Sequence, residues 1–152
     1  MILYKGRAQC LVVRDGKILM VKHDSGDYWH YCLPGGGIEH GEIPEQAAIR
    51  ELREECRVDG KIIKKTSEYV DPFDDEKFFY TYYMDIGNQT PALGIDPELI
   101  ENPILVEVRW LSLNEICEKD RAYLWSAGLV SLKEFAEELD TWGKDISYPE
   151  KI

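Results

Sequence analysis

Residues 36–58 read GGIEHGEIPEQAAIRELREECRV. The stretch sets a glycine run directly before a helix that carries three acids close together. Glu51, Glu54 and Glu55 stand at i, i+3 and i+4, the spacing that makes helical side chains neighbours, and like charges so placed repel by a few tenths of a kcal/mol per pair, roughly. A divalent cation turns that repulsion into a site, because hard cations take several carboxylate oxygens at once. Advancing 100° per residue, Ile49, Leu52 and Cys56 form an apolar stripe, while Gln46, Arg50, Arg53 and Arg57 gather on a solvated side. The acids share the remaining sector with Ala47 and Ala48, residues small enough to let something lie close against the helix. Pro44 suits the first helical position, where its missing N–H costs nothing, so the helix is expected to begin there.

Upstream runs Leu33-Pro34-Gly35-Gly36-Gly37-Ile38-Glu39-His40-Gly41-Glu42, with four glycines in seven positions. Such a segment can adopt positive φ and bring its backbone close to a ligand, so that N–H and C=O groups face a phosphate or a metal. An acidic helix facing water is the common arrangement. A glycine-rich turn at fixed distance from three helical carboxylates is not.

The stretch resembles the box of the Nudix (MutT-like) hydrolases, G-x5-E-x7-R-E-U-x-E-E-x-G-U, where U is a bulky aliphatic residue. Gly36, Glu42, Arg50, Glu51, Leu52, Glu54, Glu55 and Val58 fall in register, eight of nine defined positions. Arg57 stands where the family has the glycine that ends the helix, and Gly60 is expected to take over that turn. The resemblance implies an α/β fold, the Nudix-type α/β/α sandwich with a mixed β-sheet. It also implies Mg2+- or Mn2+-assisted hydrolysis of a diphosphate linkage in a nucleoside diphosphate joined to another group. A nucleoside triphosphate, an oxidised nucleotide, ADP-ribose and a nucleotide sugar all stay open as substrates. By the same resemblance Glu51, Glu54, Glu55 and the backbone carbonyl of Gly35 are metal ligands. Arg50 orients the neighbouring carboxylates, Gly36, Gly37 and Glu42 support the loop, and Glu107, Glu98 or Glu101 is the candidate loop acid. A nucleotide-sensing Nudix module without turnover is the alternative, although three intact acids argue for chemistry.

At 152 residues the chain is expected to form a single domain over residues 1–152 with its own core, its tail from about Asp140 fraying. Hydrophobic residues make up 44% and charged ones 31%, with a net charge of −11. That field repels polyanions, so nucleic-acid polymers and anionic membranes are poor partners, while a small nucleotide escorted by Mg2+ is not. No apolar run approaches the ~20 residues of a membrane span. Lys5, Gly6 and Arg7 interrupt any leader after Met1, which makes the cytoplasm the expected compartment. Cys10, Cys32, Cys56 and Cys117 are scattered, and His23, His30 and His40 lack zinc spacing. Nudix proteins often pair, and a homodimer is the assembly the resemblance allows.

Strands are expected at Arg7–Val13 and Lys17–Lys22 around an Asp15-Gly16 hairpin turn, and at Tyr28–Leu33. Further strands are expected at Lys61–Val70 and Lys77–Ile86, joined at Asp71–Asp75, and at Ile104–Leu111, with helices at Leu113–Lys119 and Tyr123–Leu139. Gly87–Pro103 reads as a long connection. Phe78, Tyr80 and Tyr82 form one row of the aromatic strand, Phe79 and Tyr83 the other. Tyr28, Trp29, Tyr80 and Trp125 are the rings available to stack on a base.

Overall fold

Two four-stranded sheets carry the chain. The computed structural model describes residues 2–94 and 105–136. The first sheet, in the order β5-β1-β7-β6, is built from β1 (Gly6–Leu11), β5 (Gly35–Gly37), β6 (Lys61–Asp71) and β7 (Asp74–Asp85). β1 runs parallel to β7, with Ala8 opposite Tyr80, while β5 and β6 pair antiparallel. The sheet is therefore mixed, as expected. The second sheet gathers β2 (Val13–Arg14), β4 (Trp29–Cys32) and β8 (Leu105–Leu111) around β3 (Lys17–Asp24).

Alternation along the strands divides the core in two. Ala8, Cys10, Leu19 and Val21 point to one side, where they meet Ala47, Ala48, Leu52 and Cys56 of helix α1 (Pro44–Cys56). Leu11, Ile18 and Met20 point to the other side, onto Leu124 of α2 (Glu118–Ser126), Leu129, and Phe135 of α3 (Lys133–Ala136). Helices thus cover both faces, the layered α/β/α arrangement. The aromatic strand splits as its period of two requires. Tyr80 and Tyr82 are buried on the α1 side with Phe78 against them, and Tyr83 packs on the far side.

Several local expectations are corrected. Arg7–Val13 does not form one arm of a hairpin with β3. The chain passes between sheets at Val12, leaving only Val13 and Arg14 to pair with Ile18 and Lys17. The turn between them does form at Asp15 and Gly16, with φ of 53° and 74°, both positive as a type I′ turn demands. The helix expected at Leu113–Lys119 is a 3₁₀ turn at Leu113–Glu115 followed by the start of α2. The helix expected over Tyr123–Leu139 is broken at Gly128, whose φ of 93° no helix contains. A Cβ there would also lie 2.8 Å from the Thr66 carbonyl carbon. Around this break Thr66 Oγ1 donates to the Ala127 carbonyl and Ser67 Oγ to the Ser126 carbonyl, each at 2.8 Å. The 126–131 segment therefore lies along β6.

α1 begins at Pro44 as expected, with the Gln46 side-chain oxygen accepting the Ile43 N–H at 3.1 Å. Its end differs. Gly60 does not take over the turn. Arg57 itself adopts the left-handed conformation, φ 56° and ψ 34°, and its N–H donates to the Arg53 carbonyl. Gly60 instead packs close to the core, where a Cβ would press on the ends of Met84 and Leu52 at 2.6 and 2.7 Å. A side chain in the left-handed region costs roughly 1–2 kcal/mol, part of which a glycine gives back through its freer unfolded chain. Arg57→Gly is therefore expected to stabilise the fold by about 0.5–1 kcal/mol, seen as a melting temperature raised by a few degrees in thermal denaturation.

Candidate functional site

The glycine run is not a loop. Gly35–Gly37 pairs as a strand with Arg7, Ala8 and Gln9, and of the four glycines only Gly41 has positive φ, 82°. The close approach expected of the run is nonetheless present. A Cβ on Gly36 would lie 2.6 Å from the Glu51 carboxylate carbon, so a side chain there would push that carboxylate out of its present position. A Cβ on Gly35 would lie 2.7 Å from Gln9 Cα. Gly35 and Gly36 let β5 fit between β1 and α1, while Gly37 has space to spare.

Arg50 ties this strand to the helix. Its Nε and Nη2 donate to the two carboxylate oxygens of Glu42 at 2.8 and 3.0 Å. Nη1 donates to Glu51 at 2.9 Å and Glu54 at 3.1 Å, and Nη2 donates again to the Gly37 carbonyl at 2.9 Å. The guanidinium fork thus spends five N–H groups on five acceptors. The solvated side predicted for Arg50 is corrected accordingly: it turns along the helix toward the acids, drawn by their charge. Glu55 is buried and accepts the Gly35 N–H at 2.8 Å, closing the strand onto the helix from the other end.

These groups line one cavity of about 240 Å³ with Arg7, His23, Gly35, Gly36, Gly37, Glu39, Arg50, Glu51, Glu54 and Glu55. Four carboxylates face two guanidinium groups, so the cavity carries an excess of anion. Burial raises the Glu51 carboxyl above its ordinary value despite the opposing pull of Arg50. The Arg50 hydrogen bonds hold Glu42 below its ordinary value. For a hard cation the donor set is right in kind: carboxylate oxygens and a main-chain carbonyl. As arranged, however, no three acidic, histidine or cysteine side chains among the described residues converge closely enough to hold an ion. Arg50 holds Glu51 and Glu54, and Arg7 Nη2 donates to the Gly35 carbonyl at 3.2 Å.

A second cavity, about 440 Å³, adjoins the first through Arg7 and His23. Tyr28 lines it, as do His30, Lys119 and Asp120. The other expected stacking rings do not reach either cavity. Lys22 Nζ covers the Trp29 ring at 4.3 Å, Tyr80 packs edge-on against Tyr4 in the α1 core, and Trp125 packs on the α2 side. His40 is exposed and lines neither cavity. Glu107 sits in β8 opposite Lys22, ion-paired with Arg109 at 3.2 Å and outside both cavities. Glu98 and Glu101, like the tail from Asp140, lie outside the described residues.

Arg7, His23, His30, Lys119 and Asp120 are cavity residues that no motif marks. The β3–β4 hairpin held a signal for the histidines, because its register sets His23 directly across from His30. Arg7 had none, since its place depends on Gly37 becoming its cross-strand neighbour.

A family profile described as NUDIX domain matches residues 4–133. An RNA pyrophosphohydrolase from Wolbachia is 44% identical over 59 residues, covering 38% of this chain and 35% of that protein. An ADP-ribose pyrophosphatase from Methanocaldococcus jannaschii is 32% identical over 68 residues, covering 44% and 40%. The alignments thus span well under half of these relatives' own lengths. A solved NUDIX hydrolase from Nitrosomonas europaea superposes with a TM-score of 0.65 at 20% identity, over 97% of this chain and 78% of that one, which establishes likeness of fold.

The two acids that Arg50 holds have opposite pH signatures. Glu42, its pKa depressed, contributes stability that is present above the ordinary value near 4.5 and lost as pH falls through the folded value. Glu51, its pKa raised, opposes folding once pH rises through its folded value. Glu42→Gln is therefore expected to cost about 1.5–3 kcal/mol at pH 7, a deficit that shrinks below pH ~4.5. Glu51→Gln in metal-free buffer should cost less than Glu42→Gln, because burial already disfavours the ionised Glu51. Urea unfolding of both variants across pH 3–8 checks the contrast.

Proposed function

The chain belongs to the NUDIX domain family, and from that premise we propose that it hydrolyses a diphosphate linkage in a nucleoside diphosphate joined to another group. The observation that carries this reading is the shared cavity of Glu51, Glu54, Glu55 and the Gly35–Gly37 backbone. A diphosphate resists water because its anionic oxygens repel the nucleophile and its leaving group carries charge. Glu51, Glu54, Glu55 and the Gly35 carbonyl would hold the divalent cation, Mg2+ or Mn2+. When bound, the cation supplies neutralisation of the phosphates and a water of lowered pKa.

The remaining roles belong to the chain itself. One of Glu51 and Glu54, which line the cavity, or a loop acid would accept the proton of the attacking water. Glu55, buried against Gly35, fixes the strand that carries the carbonyl. Arg50 sets the directions of Glu51 and Glu54 and acts as a positioning residue. Arg7, on the wall common to both cavities, is placed to meet a phosphate, with Tyr28 beyond it against the group on the far side. The relatives' names span substrates as different as RNA and ADP-ribose, so the family alone does not choose among a nucleoside triphosphate, an oxidised nucleotide, ADP-ribose and a nucleotide sugar.

Nucleotide binding without turnover is the second reading. The observation favouring it is that Arg50 already satisfies two of the three acids. One experiment separates the two. Phosphate and pyrophosphate release is followed from a nucleotide panel with Mg2+, with wild type beside Glu54→Gln. Hydrolysis by wild type, reduced about 10²- to 10⁴-fold in the variant with folding intact, supports the enzyme. Equal rates in both proteins overturn the assigned site, and binding without release favours the sensor. Mg2+ should also raise the melting temperature of wild type and not of Glu54→Gln, because only a site that binds the native state shifts stability.

A further inference from the structure

The cavity beside the carboxylates runs against the composition of the chain. In a protein of net charge −11 with 18 Lys and Arg and three histidines, this one cavity gathers Arg7, Lys119, His23 and His30 among nine lining residues. Its single acid, Asp120, is 6% exposed and accepts the Tyr31 N–H through Oδ2 at 3.2 Å, so it is held against the backbone of β4. The histidines face each other across the β3–β4 hairpin with ring centroids 5.5 Å apart, and Tyr28 stacks on His30 at 5.4 Å. The two imidazoles are tilted to each other by 33°, and imidazole edges are hydrogen-bond donors or acceptors. His30 Nδ1 is buried with no hydrogen-bond partner. Lys119 Nζ stands at the mouth, donating to Tyr28 Oη at 3.1 Å.

Arg7 and Lys119 bring two cationic groups to one cavity from β1 and α2, the histidine rings of β3 and β4 add hydrogen-bonding edges, and an anion is the ligand that meets both. We infer that this cavity is an anion subsite, which takes a second phosphoryl group carried by the substrate beyond the diphosphate. Arg7 lies on the wall between the two cavities, and so divides the phosphates held by the carboxylate side from the additional one. The substrate class is then a diphosphate ester of a sugar or nucleoside that bears another phosphate, in preference to one whose far group is neutral. The inference extends the hydrolase reading of the adjoining carboxylates, but binding tests it without turnover.

The test is calorimetric titration in EDTA with adenosine 5′-monophosphate and adenosine 3′,5′-bisphosphate. The overall field of the protein disfavours the more highly charged probe, so a preference for it must arise locally. The bisphosphate is expected to bind about tenfold more tightly. Lys119→Met should remove most of that preference. Lys133→Met, a charge change on another surface, should leave it intact. Equal or weaker binding of the bisphosphate overturns the inference, as does failure of both probes to bind at millimolar concentration or a preference that survives Lys119→Met. A preserved preference in a protein that hydrolyses nothing would sink the hydrolase reading alone.

Discussion

One guanidinium group holds the site together. Arg50 reaches from the middle of α1 to the Gly37 carbonyl on β5, to both oxygens of Glu42 before the helix, and to Glu51 and Glu54 on the helix itself. A planar fork that is always charged suits this work, because it satisfies several acceptors in fixed directions at once. A lysine offers three donors about a point and cannot span the same set. The constraint acts both ways. Without the guanidinium, Glu42, Glu51 and Glu54 are left as partly buried anions facing one another. Without the acids, the strand has little to hold it against the helix beyond the Glu55 contact to Gly35.

Charge is sorted between the two cavities. The carboxylates of α1 line one cavity and the basic side chains of β1, β3, β4 and α2 line its neighbour, with Arg7 and His23 common to both walls. A buried polar chain supports this wall from behind. Tyr123 Oη donates to Gln9, whose amide donates in turn to Thr81 Oγ1 at 2.8 Å. Gln9 and Thr81 are almost wholly buried, so each must find a partner inside the protein. Arg7, two residues before Gln9 on the same face of β1, therefore projects from a fixed floor.

The parts of this arrangement legible in the sequence are those set by local chemistry. Pro44 marks the helix start, Asp15-Gly16 the hairpin turn, and the i, i+3, i+4 acids share one cavity because helical geometry leaves little choice. The period of two separated the aromatic rows correctly. What was not legible depends on neighbours distant in sequence. The glycine run looked like a turn because glycine permits positive φ, yet at Gly35 glycine is required by the backbone of Ala8 and Gln9, and at Gly36 it leaves room for the Glu51 carboxylate. The crossing at Val12 leaves no local mark, since apolar residues continue through it on alternating faces. Arg57 at a left-handed helix end defied its own preference, overridden by the geometry that follows α1. Apolar spacing continues past Gly128, so the pattern implied a helix that backbone geometry forbids.

The break at Gly128 has a bearing on how this molecule meets its own kind. β6 is the outermost strand of its sheet, and an open strand margin is where folded chains recruit one another into extended ribbons. Here the turn lodged beside Thr66 and Ser67 obstructs that margin halfway along. Irregular pairing near Ile63 and Thr66, and lysines at positions 61, 64 and 65, roughen what is left. The same residue that interrupts the expected helix thus seats a turn beside the middle of this outer strand, where a partner strand would otherwise lie uninterrupted.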